Sequence, residues 1–167
     1  MGIKLKPGDI FLTAVPGIIG RGINAIQRIH DKSSHSSYSH AGLVIDPDGT
    51  TIESQGRVVN WNIYEKYDGV KVLIARNVAM NAQTFKIGYS AVKHHLGQTY
   101  PIYRILYHLF PPIAKLSDER VVCSELVAKF LHRVELFGYI NGCSPDDIHN
   151  HLCWAYGWDI IFNGRIS

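Results

Sequence analysis

Ser39-His40-Ala41-Gly42-Leu43-Val44-Ile45-Asp46-Pro47-Asp48-Gly49-Thr50-Thr51-Ile52-Glu53-Ser54-Gln55 contains two β-type runs, Ala41 to Asp46 and Thr50 to Gln55. Between them, Asp46-Pro47-Asp48-Gly49 has proline at the second turn position and glycine at the fourth, so the stretch reads as an antiparallel hairpin. If Leu43 opposes Ile52, one face carries Ala41, Leu43, Ile45, Ile52 and Ser54. The other then carries His40, Gly42, Asp46, Thr51, Glu53 and Gln55. That register separates apolar from polar side chains, whereas a slip of one residue would put Ile52 on the His40 face. In the favoured register Gln55 faces His40. Glu53 is the diagonal neighbour, roughly 7 to 8 Å away between backbones and within reach of a glutamate side chain.

Outward from the hairpin, Pro7-Gly8-Asp9 is a turn, and Ile10 to Val15 reads as a buried strand. Ile19, Ile23, Ile26 and Ile29 recur near helical spacing, which predicts a helix over Ile18 to His30. The serine-rich Asp31 to Ser39 reads as a loop. Val70 to Ala75 predicts a strand, and Asn81 to Leu96 a helix with Phe85, Tyr89, Val92 and Leu96 on one face. Cys123 to Phe137 is the best helix: Cys123, Leu126, Val127, Phe130, Leu131 and Val134 form an apolar stripe from which Ser124, Glu125, Lys129, His132 and Arg133 fall away. Ser144-Pro145-Asp146-Asp147 starts another helix, with Ser144 as N-cap and Pro145 at the first helical position. Trp158 to Phe162 closes the chain as a strand. The pattern is α+β, an antiparallel sheet packed against helices, in one domain over residues 1–167.

A thiol attacks a carbonyl as its thiolate, and a helix N-terminus and an adjacent imidazole are the two commonest means of lowering its pKa. Cys123 begins a helix, and its backbone N–H, unpaired in the first turn, suits an oxyanion. His40 starts a strand at the exit of a polar loop, where an imidazole is held by the sheet and still reaches a cleft. Glu53 is the choice to fix the imidazole tautomer. His94, His95, His108 and His132 have no companion pattern and read as surface or cap residues.

The chain has 167 residues, 46% of them hydrophobic, enough for a core around one sheet. Its net charge of +3 is scattered, with no basic run, so no nucleic-acid partner is expected. Cys123, Cys143 and Cys153 cannot all pair with one another, and none has zinc-like spacing. No apolar run approaches the roughly 20 residues of a membrane span, and no signal peptide is apparent, so a reducing, cytoplasmic setting is the expectation. A metal site at His149, His151 and Cys153 would need a strand. The helix predicted across them makes i and i+2 diverge, so neither metal nor cofactor is expected.

The order Pro7-Gly8-Asp9-Ile10, Ser39-His40-Ala41-Gly42-Leu43-Val44, Ile52-Glu53-Ser54, Gly97-Gln98-Thr99-Tyr100, Val122-Cys123-Ser124-Glu125-Leu126-Val127 and Ser144-Pro145-Asp146-Asp147 resembles the permuted papain-like amidases of the YiiX/YaeF type. These belong to the NlpC-type superfamily, which also includes the lecithin:retinol acyltransferases. The resemblance implies a circularly permuted papain-like fold in which Cys123 attacks an amide or ester carbonyl, His40 takes and returns the proton, and Glu53 holds His40. It points to Tyr100 as a cleft residue, and Ser124 and Gln55 join it as substrate or oxyanion candidates. The implied substrate is a peptide, such as a cell-wall peptide, or an acyl lipid. Val121 departs from an aromatic residue common in the family, and the aromatic Tyr103, Tyr107 and Phe110 lie where members vary.

Overall fold

A computed structural model describes residues 3–14, 38–99, 122–138 and 142–167. The helix expected over Ile18 to His30, and residues Tyr100, Tyr103, Tyr107, Phe110 and Val121, lie outside the described residues.

The hairpin forms in the favoured register: β2 (His40–Val44) and β3 (Thr50–Gln55) pair Leu43 with Ile52 and Val44 with Thr51. Its turn is closed by Gly49 N–H donating to the Asp46 carbonyl at 3.1 Å, and Asp48 Oδ1 accepts from both the backbone and the hydroxyl of Thr50. Gly49 has φ +95°, and a Cβ there would also strike the Tyr64 ring, so the turn needs a residue without one. On one side β1 (Ile10–Thr13) pairs with β2, followed by β5 (Lys71–Asn77) and β6 (Trp158–Arg165). On the other side β4 (Arg57–Asn62) pairs with β3. The result is a six-stranded antiparallel sheet in the order β4-β3-β2-β1-β5-β6.

Four helices accompany it among the described residues: α1 (Ile63–Lys66), α2 (Ala82–Ser90), α3 (Cys123–Arg133) and α4 (Pro145–Trp154). Two are shorter than their periodicity predicts. In α2 the Ser90 hydroxyl donates to the Ile87 carbonyl at 2.7 Å, competing with the helical ladder, and a 3-10 turn over Lys93–His95 follows. In α3 the chain turns back at Glu135, φ 61°, and Leu136 N–H donates to the Leu131 carbonyl at 2.9 Å. The start of α4 follows the sequence pattern: Ser144 and Asp147 exchange hydrogen bonds in a capping box, with Pro145 in the first turn.

The sheet is covered on both faces. On one, Ile10, Leu12, Leu43 and Ile52 meet Leu126, Val127, Phe130 and Leu131 of α3 and Ile148 and Leu152 of α4. On the other, Phe11, Val44 and Ile74 meet Ile63 of α1 and Tyr67 just beyond it. His40, Gly42, Thr51 and Glu53 belong to this second face, so the polar side of the hairpin is buried as well.

Gly42 is where this second layer is tightest. A Cβ there would stand 2.4 Å from Phe11 Cε1 and Cζ and 3.0 Å from Glu53 Cγ. Gly42→Ala should therefore lower stability by roughly 1–3 kcal/mol through overpacking, read as a fall in the urea midpoint. A variant that unfolds together with the parent would show that the Phe11 ring has room to turn.

Candidate active site

β2 opens at His40, whose imidazole lies on the second face near the rings of Phe11 and Tyr67, with centroids 6.2 and 6.5 Å away. Because β3 crosses in the register above, Glu53 arrives as the diagonal neighbour. His40 Nε2 and Glu53 Oε2 are 2.9 Å apart, and both side chains are buried. A buried carboxylate needs compensation, and Glu53 has it in quantity. Oε2 also accepts from Lys66 Nζ at 2.8 Å and from the Tyr67 hydroxyl at 2.6 Å, while Oε1 accepts from the Thr51 hydroxyl at 2.7 Å. Burial alone would raise the Glu53 pKa, but His40 and Lys66 outweigh it and bring it down to about 2.

Cys123 is the first residue of α3, at the positive end of the helix dipole. Its thiol lies against the His40 imidazole, and the backbone N–H groups of Ala41 and Ser124 are directed at the sulfur. With His40 Nε2 engaged by Glu53, Nδ1 is the ring nitrogen left for the thiol. Burial opposes ionisation of Cys123 most strongly. The imidazole and the two backbone N–H groups overcome it and hold the thiol below its ordinary value. For His40, burial likewise acts to lower the pKa, and the thiol and Glu53 together raise it to about 9. The other two cysteines move the opposite way. Burial pushes the thiol of Cys143 up, aided by Asp147 and Glu125, and burial raises Cys153.

The structure thus brings Cys123, His40 and Glu53 together, with His40 in contact with the other two. Ser124 is buried, its hydroxyl donating to the Cys143 carbonyl at 2.5 Å; its backbone N–H, not its side chain, faces the sulfur. Glu125, which the helical pattern sets aside from the apolar stripe, is buried too. It accepts from the N–H groups of Val122 at 3.3 Å and Gly142 at 3.2 Å, because Gly142 and Cys143 meet the first turn of α3. Gln55 is exposed at the end of β3. His149, His151 and Cys153 lie on α4, where His149 Nε2 is 3.5 Å from Cys153 Sγ one turn away. No group of three or more His, Cys, Asp or Glu that could hold a metal ion occurs among the described residues.

Lys66 and Tyr67 are site residues that sequence reasoning passed over. Their signal was the Asn62 N-cap followed by Ile63, Lys66 and Tyr67 at i, i+3 and i+4, a one-turn helix with a single inward face. His95 is a correction. It is buried, with Nδ1 2.7 Å from Gln98 Oε1 and Nε2 3.2 Å from Lys129 Nζ, rather than a surface or cap residue.

No family model matches the chain, and no curated protein matches it. Among solved structures it is similar to the metalloprotein YiiX from Escherichia coli O157:H7, DUF1105, with a TM-score of 0.58 and 21% sequence identity over 79% of this chain and 67% of that one. This is a likeness of fold. Among the described residues, no helix is long and apolar enough to cross a membrane.

The two shifted pKa values make stability depend on pH in opposite senses. Glu53, lowered to about 2, stabilises the fold above its ordinary value of 4.5, and that contribution is lost as pH falls toward 2. His40, raised to about 9, stabilises fully below its ordinary value of 6.5, and its contribution is lost as pH rises through 9. Cys123, held below its ordinary value by the same imidazole, gains stability over the pH range in which His40 loses it, so the acid side is the one to read: urea unfolding should show stability falling below pH 4.5, and Glu53→Gln should flatten that decline. An unchanged acid slope in that variant would rule out a depressed Glu53.

Proposed function

We propose that the chain is a papain-like thiol hydrolase or acyltransferase of the NlpC type, one domain in circularly permuted order, that cleaves an amide or ester bond through an acyl-thioester. The observation that carries the reading is that Glu53, His40 and Cys123 adjoin one another, with a carboxylate 2.9 Å from the imidazole Nε2 and a thiol, held below its ordinary pKa, beside the same ring. Such an arrangement is how a cysteine nucleophile is activated and how its base is oriented.

In this reading the Cys123 sulfur attacks the substrate carbonyl carbon, and the π electrons move to oxygen. The backbone N–H groups at the start of α3 stabilise that oxyanion. His40 gives its proton to the leaving amine or alcohol as the carbon–nitrogen or carbon–oxygen bond breaks, leaving a thioester on Cys123. His40 then takes a proton from water or another acyl acceptor, which attacks the thioester and frees the thiol. Glu53 keeps Nε2 protonated throughout and does not itself exchange a proton. The metal implied by the description of YiiX belongs to that protein; no step here uses one. Peptide amides are the first substrate class, with acyl lipids as the alternative.

The test pairs turnover with labelling. One panel of cell-wall peptides and acyl lipids is offered to the parent and to Cys123→Ser, and one class should be turned over by the parent alone. In parallel, iodoacetamide followed by peptide mapping should label Cys123 ahead of Cys143 and Cys153 at pH 6.5. There an ordinary thiol with a pKa of roughly 8.5 is only about 1% ionised, so His40→Ala should slow Cys123 labelling by up to about 100-fold. Labelling no faster than the other two cysteines, or indifferent to His40, would leave a binding module with a buried thiol.

A further inference from the structure

Lys66 has no place in the proton path, yet its Nζ sits 2.8 Å from the same Glu53 oxygen that holds His40. Its side chain is 18% exposed, and it also lies over the rings of Trp61 and Tyr67, at 5.0 and 5.2 Å to the centroids. The groups that face Glu53 are therefore His40 from β2, Thr51 from β3 itself, and Lys66 and Tyr67 from α1 and the residue after it. Cys123 of α3 lies beyond His40. Thr51 and Tyr67 donate as neutral hydroxyls. Among the described residues, Lys66 alone brings a positive charge to Glu53 from outside the proposed triad.

We propose that Lys66 is a positioning residue whose ammonium balances the Glu53 carboxylate, so that transfer of a proton from Cys123 to His40 leaves the buried site without net charge. This deepens the proposed function and rests on it, since it assumes that Cys123 works as a thiolate. With Lys66 present, Lys66 and Glu53 sum to zero. Thiol with neutral imidazole and thiolate with imidazolium are then both neutral arrangements. Without the ammonium, the neutral arrangement is imidazolium against carboxylate beside an un-ionised thiol. Forming the thiolate would then place a net negative charge among groups that are 0 to 4% exposed, which low-dielectric surroundings penalise. The lysine thus acts on the sulfur through Glu53 and His40, from the far side of the carboxylate. Tyr67 secures the same oxygen without changing the charge, so the two neighbours separate geometry from electrostatics.

The experiment measures the rate of Cys123 alkylation by iodoacetamide against pH in the full chain, with circular dichroism confirming the fold of each variant. Lys66→Met should move the acid limb of the rate profile up by about one pH unit, and Lys66→Arg should restore it. Tyr67→Phe should move it much less. The double variant Glu53→Gln/Lys66→Met removes both charges and should bring the limb back below that of Lys66→Met. If Lys66→Met does not fold, the double variant is compared with Glu53→Gln alone. There the unbalanced ammonium should set the limb lower than in the double. A Lys66→Met limb coinciding with the parent's, an arginine variant shifted as far as the methionine one, or a double variant matching Glu53→Gln would overturn the inference while leaving the proposed function standing. A parent whose Cys123 shows no enhanced labelling below pH 7 would instead remove the proposed function, and this inference with it.

Discussion

A carboxylate with no exposed surface organises one side of this protein. Glu53 cannot be left unpaired in an apolar layer, and among the described residues four donors meet that demand: His40 from β2, Thr51 from its own strand, Lys66 from the one-turn helix that follows β4, and Tyr67 just beyond that helix. Each donor fixes the element it comes from. The hairpin register is held by Thr51 and His40, and α1 is held against the sheet by Lys66 and Tyr67. The absence of a side chain at Gly42 leaves space for the stem of Glu53 and the Phe11 ring together. A neutral residue at position 53 would relax all of these requirements at once.

The sheet divides the molecule into two apolar layers, and the helix that begins at the thiol packs on one while the imidazole lies near the rings of the other. α3 packs through Leu126, Val127 and Phe130 on the first layer, while His40 sits near Phe11 and Tyr67 in the second. They meet where β2 begins. There the pairing of β2 with β3, registered at Leu43 and Val44, gives way, and the Ala41 N–H is directed at the Cys123 sulfur. A strand end is a suitable meeting point. Its backbone donors are not all committed to a ladder, yet its side chains are positioned by one.

What was legible in the sequence follows from periodicity and turn chemistry. The Pro-Asp-Gly turn and the sorting of apolar from polar residues gave the hairpin and its register, which placed Glu53 beside His40. The apolar stripe from Cys123 to Leu131 gave α3, and Ser144-Pro145 gave the start of α4. What was not legible depends on distant partners. Lys66 and Tyr67 reach Glu53 only because α1 folds over the second face. Ser124, Glu125 and His95 are polar residues buried because Cys143, Gly142, Gln98 and Lys129 supply their partners. Single-sequence patterns carry no record of which polar residue will find such a partner. Helix ends were overestimated for a related reason: apolar periodicity continues past the point where Ser90 or Glu135 redirects the backbone.

The order of the segments along the chain has a consequence for biosynthesis. Glu53 and His40 belong to a local hairpin, and the residues that brace them follow within the next short helix. Cys123 leaves the ribosome some 70 residues after Glu53, roughly 4 to 14 s later at ordinary translation speeds. Hairpins form in microseconds, so Glu53 and His40 can stand side by side long before the sulfur appears. A nascent chain therefore presents the imidazole, already beside its carboxylate, before the thiol joins it. The thiol meets the imidazole only when α3 docks on the sheet.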